Sequence, residues 1–120
     1  MKELLSMQRD LMAKIPHGHK IKDEHQALVV AGFGLIEEVL EYLNSIGFKS
    51  WRPNPLPREN QLEELTDQLF FFLEEVILSG FTWGEVTEQY KKKHAENLER
   101  YERAKQGDFG WDLRGKKEGL

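Results

Sequence analysis

Apolar residues recur every three or four positions along this chain, in four runs separated by glycine and proline. The first run holds Leu4, Leu5, Met7, Leu11, Met12 and Ile15, and Pro16 and Gly18 close it. That spacing predicts a helix over 3–15. Gln8 lies beside the stripe and reads on spacing alone as a surface glutamine. A second helix is predicted over 23–46, opening on the capping-box pattern D-E-H-Q at Asp23 and stopping at Gly47. Its main stripe is Leu28, Leu35, Ile36, Val39, Leu40, Leu43 and Ile46. A narrower face carries Ala27, Val30, Ala31, Gly34, Glu38 and Glu41.

Pro53, Pro55 and Pro57 then force a stiff, extended loop between Gly47 and Glu59. Lys49 and Trp51 stand near its start, and Trp51 reads either as a stacking surface or as a plug for the core. A third helix is predicted over 60–79, with Asn60 and Glu63 as its capping box and Gly80 as its stop. Leu62, Leu65, Leu69, Phe72, Leu73 and Val76 form one stripe, while Glu64, Asp67, Phe71 and Leu78 share the other side. A helix apolar on two sides is central, packed between neighbours. Thr82 and Glu85 open a fourth helix over 82–106, whose stripe of Trp83, Val86, Tyr90, Asn97, Tyr101 and Ala104 is interrupted by Lys93. An ammonium in an inward position needs an anion, either one of the chain's own acids or a phosphate. The expected fold is therefore an all-α, antiparallel helical bundle spanning 1–106, completed by oligomerisation, with a glycine-rich tail over 107–120.

Composition narrows the function. The 120 residues suit one domain, and 39% hydrophobic content implies a modest core that a second copy would enlarge. Cysteine is absent, which removes disulfides and thiolate metal sites and fits a reducing, cytoplasmic setting. No apolar run approaches a membrane span of about 20 residues. A net charge of −4 argues against broad nucleic-acid binding, which depends on neutralising phosphates.

The candidate chemistry lies between Gly34 and Asp67. Glu38 and Glu41 are three apart on the second helix, and Glu64 and Asp67 are three apart on the third, so each pair shares a helix face. Charged residues make up 32% of the chain, and Glu96, Glu99 and Glu102 show the same spacing in a solvated setting. The two chosen pairs differ because their helices are otherwise apolar on more than one side. Antiparallel packing would aim four carboxylates into one space, where mutual repulsion calls for a cation, and hard oxygen ligands favour magnesium. His17, His19 and His25 flank the first turn without a second ligand type at useful spacing. There is no G-x-x-x-x-G-K-[ST] loop and no Cys-His or Ser-His-Asp arrangement.

E-E-V-L-E followed by E-L-T-D resembles the E-E-x-x-E … E-x-x-D signature of the all-α nucleoside triphosphate pyrophosphohydrolases, which include MazG-like enzymes and the dimeric dUTPases. F-K-S-W, D-Q-L-F-F-F-L, L-L-S-M-Q-R-D-L and the set Lys93, Asn97 and Arg100 are similar to the dimeric dUTPase branch, although Met12 stands where that branch often has an asparagine. The resemblance implies magnesium-dependent hydrolysis of a nucleoside triphosphate, dUTP first among them, to monophosphate and pyrophosphate by a homodimer or higher homo-oligomer. Glu38, Glu41, Glu64 and Asp67 would hold the metal. Lys49, Lys93, Asn97 and Arg100 would contact phosphates or sugar, and Gln8 and Trp51 would lie near the base. An acid must also take a proton from water, and Glu38 is the nominee. Two other readings are a MazG-like hydrolase of another or modified nucleotide and a non-catalytic helical module whose acids meet a basic partner.

Overall fold

The computed structural model describes residues 1–15 and 23–107. Four helices account for most of them: α1 (Lys2–Lys14), α2 (Glu24–Ser45), α3 (Arg58–Leu78) and α4 (Trp83–Lys105). Every bound falls within two residues of the position expected from the apolar spacing. Among the described residues no strand forms, and a single isolated bridge joins Lys49 to Arg52. The chain divides into two compact units, Met1–Trp83 and a second from Gly84 onward.

The ends of the helices follow from local chemistry. Ile15 is extended (φ −88°, ψ 114°), the conformation forced on a residue that precedes proline. Pro16 and Gly18 themselves, with His17 and His19, lie outside the described residues, as do Phe109, Trp111 and the rest of the tail beyond Gly107. Asp23 caps α2 as its pattern predicts: its side chain accepts the Gln26 backbone N–H at 2.8 Å, a contact stabilising by about 1 kcal/mol. Gly47 follows α2 at φ 76°, and a Cβ there would run into the Pro53 carbonyl oxygen. Only glycine fits that corner. The loop then folds back on the helix end, with the Leu56 N–H donating to the Ser45 carbonyl at 2.8 Å.

The Asn60–Glu63 capping box does not form. Pro57 occupies the cap position (φ −54°, ψ 153°) without a side-chain cap. The backbone N–H groups of Asn60 and Gln61 both donate to its carbonyl, at 3.0 and 3.2 Å. Proline arrives with its φ already set, so the helix starts early and Asn60 falls inside the first turn.

In the first unit α3 packs against both α2 and α1, the central role expected of it. Leu73 and Val76 on α3, Ala27 and Ala31 on α2, and Leu5 and Gln8 on α1 are buried. The face of α2 that meets α3 is thus the narrow one of small residues, whereas Ile36 and Leu40 from its main stripe stay exposed. Small side chains let two helix backbones approach, and that approach decided which stripe was used. In the second unit α4 contains no buried residue.

Candidate metal centre and adjoining cavity

α2 and α3 run antiparallel, so Gly34 meets Phe71 and, one turn along, Glu38 and Glu41 meet Glu64 and Asp67. One carboxylate oxygen each from Glu38, Glu41 and Glu64 lies within 4.8 Å of the others. Glu38 and Glu64 are half-buried and Glu41 is exposed. Oε2 of Glu38 and Oε2 of Glu64 are both buried without a hydrogen-bond partner. Three turns beyond Glu64 on α3, Oε1 of Glu75 is the third such atom among the described residues.

The acids perturb one another. Burial, first, pushes the Glu38 carboxyl above its ordinary value, followed by the charges of Glu41 and Asp67, hydrogen bonding with Glu41, and the charge of Glu64. Glu64 is raised by burial, then by hydrogen bonding with Glu41 and by the charges of Glu41, Asp67 and Glu63. Asp67 therefore belongs to the cluster electrostatically, although the tightest group of ligand atoms is the three glutamates. A carboxylate oxygen removed from water needs a donor or a cation, and the groups around Glu38 and Glu64 are acceptors. Two oxygens on opposite sides of magnesium stand about 4.2 Å apart, and across calcium about 5 Å. The donor set fits a divalent cation of this hard type with little movement.

Beside the acids, α1, α2 and α3 line an open cavity of about 360 Å³ whose walls include Gln8, Leu11, Met12, Glu38, Asp67 and Phe71. Gln8 is not a surface residue: only 5% of it is exposed. It shares one side of α1 with the buried Leu5 and the half-buried Met12, while Met7 is the most exposed of the apolar stripe. Hydropathy cannot detect a glutamine on a buried face, and the three- and four-residue steps from Leu5 through Gln8 to Met12 were the available signal. Phe71 and Glu74, which also line the cavity, were not singled out as site residues. Phe71 was nonetheless assigned to the face of Asp67, and that is where it lies.

The α2–α3 loop presents a cation between two rings. The Lys49 ammonium lies 6.0 Å from the ring centroids of Phe48 and of Trp51. Trp51 is 77% exposed, so it does not plug the core. In the second unit, Lys93, Asn97 and Arg100 gather on one face of α4 around Glu96. Lys93 pairs with Glu96 at 3.6 Å, Arg100 pairs with it at 3.9 Å, and Arg100 donates to the Asn97 side-chain oxygen at 3.3 Å. The Lys93 side chain is 58% exposed. Its partner on α4 is a neighbour one turn away, in an open setting rather than inside an apolar stripe.

The described residues thus form an all-α protein with a carboxylate cluster on an antiparallel helix pair and a partly apolar cavity beside it. A family model described as dUTPase matches residues 1–79, and the chain belongs to that family, the all-α dUTPases. At the family level it is a dUTPase-like nucleotide hydrolase. The chain has no match among curated proteins or solved structures. No helix among the described residues is long and apolar enough to cross a membrane.

Proposed function

We propose that this chain hydrolyses a nucleoside triphosphate, dUTP before others, to the monophosphate and pyrophosphate, with magnesium held by Glu38, Glu41, Glu64 and Asp67. The observation carrying this reading is the pair of buried, unpartnered oxygens on Glu38 and Glu64, inside a carboxylate group no wider than 4.8 Å. Magnesium at such a site neutralises phosphate charge and makes a water more acidic. Glu38, at the half-buried side of the cluster, would take a proton from water activated there. The cavity against Glu38 and Asp67 receives the nucleoside, and the buried Gln8 side chain offers one donor and one acceptor to the edge of a base. Lys49, Lys93, Asn97 and Arg100 bind phosphate or sugar oxygens, and Trp51 supplies a ring face near the base.

The apolar surface that α2 leaves uncovered supports a homodimer or larger homo-oligomer. Phe33 is 64% exposed, and Ile36 and Leu40 lie along the same helix, on surface that a second copy would bury. The test of the activity is a screen of deoxy- and ribonucleoside triphosphates, with magnesium, for release of pyrophosphate. Pyrophosphate from dUTP is expected. Release from a different nucleotide alone moves the chain to the MazG-like reading, and no release from any of them refutes the enzymatic one.

A further inference from the structure

Gly34 stands one turn before Glu38 on α2, and Phe71 one turn after Asp67 on α3, so the two sit directly over the acids. A Cβ on Gly34 would overlap Phe71 Cε1 and come within 2.7 Å of Cδ1 and Cζ. Carbon atoms do not approach so closely, and the ring would have to leave its seat. The three atoms nearest to such a Cβ all belong to the Phe71 ring and none to the α3 backbone. Ala27 and Ala31 carry Cβ atoms on the same face and are buried, while Gly32, two residues away, has open space around its missing side chain. Gly34 is thus cut for the ring of Phe71, and Phe71 is part of the cavity lining shared with Glu38 and Asp67.

We infer that Gly34 is a positioning residue that keeps the cavity open by seating the Phe71 ring against α2. A methyl group at position 34 pushes the ring off α2 and into the open cavity that Phe71 lines. The acids, one turn away, keep their places. The consequence for nucleotide binding rests on the reading given under Proposed function, but the movement of the ring does not.

Two measurements separate them. With hydrolysis as the readout, Gly34→Ala is expected to raise KM about tenfold while kcat and the magnesium-induced rise in melting temperature stay near wild type. Combining Gly34→Ala with Phe71→Leu, which gives the methyl group room, should bring KM back to that of Phe71→Leu alone. Independently of any activity, the 13C-methyl resonance of Met12, on the cavity wall, should shift in Gly34→Ala, and that of the exposed Met7 should not. A folded Gly34→Ala protein with unchanged KM and an unshifted Met12 methyl overturns the inference. So does a loss of the magnesium effect in step with KM, which would mean that the helices spread instead. If the wild-type chain hydrolyses no nucleotide, the proposed activity falls, and the Met12 resonance alone decides the role of Gly34.

Discussion

Replacing Glu38 with glutamine should move two quantities in opposite directions. In the metal-free chain, Glu38 Oε2 is a buried acceptor with no donor in reach, facing the carboxylates of Glu41 and Glu64. The amide of Glu38→Gln brings N–H donors to those acceptors and removes one of the mutually repelling charges. Metal-free protein should therefore melt at or above the wild-type temperature. The metal-bound state loses a charged ligand, and a contact of that kind contributes about one to two decades of affinity. At a magnesium concentration about one hundred times the wild-type Kd, binding stabilises the native chain by about 2.7 kcal/mol. A ten- to hundredfold weaker site leaves about 0.4–1.4 kcal/mol. With about 4 °C per kcal/mol for a domain of this size, the magnesium-induced rise falls from roughly 11 °C to roughly 2–6 °C. Thermal melts with EDTA and with magnesium read both effects from the same sample, and pyrophosphate release should be lost. A lower metal-free melting temperature together with an undiminished magnesium effect would refute the argument, because Glu38 would then be a structural acid outside the cation site.

Glu38 and Glu64 bind protons more tightly in the folded chain than at their ordinary value of 4.5, so their stabilisation is present below that value and lost as pH rises through the folded-state one. Metal-free protein should melt lower at about pH 7 than at about pH 5, with magnesium offsetting the loss; a melting temperature that rises over this interval would count against the cluster. Lys93→Met should change the melting temperature little, since an exposed pair with Glu96 contributes about 0–1 kcal/mol, yet initial rates should drop about ten- to hundredfold if Lys93 holds phosphate. Asp23→Ala removes the α2 cap and should lower the melting temperature by roughly 4 °C without altering the magnesium effect, as measured in the same melts.

Helix existence was legible because the apolar spacing and the glycine stops at 47 and 80 agree, and both glycines hold positive φ. The acids were legible because they interrupt faces that are otherwise greasy. Which face of α2 would be used was not. Hydropathy ranks Ile36 and Leu40 above Ala27 and Ala31, but the distance between two helices is set by the smallest side chains between them. The same blindness applies to Gln8, a polar residue on a buried register. It applies to Asn60 as well, where a good capping residue lost to a proline three positions earlier. Trp51 was open to two readings, a stacking surface or a core plug, and its exposure removes the second.

All four acids lie on one helical hairpin, closed at its turn by Gly47 and by the Leu56–Ser45 hydrogen bond. Loops of this length close on the nanosecond timescale, and the contacts they bring together are local in sequence. A cation captured there needs only that hairpin, before α1 has docked on α3. It would then stabilise the folding transition state along with the native chain, raising the rate of folding more than it slows unfolding. Refolding kinetics, rather than native lifetime, would then be where a cation bound at the hairpin shows its effect.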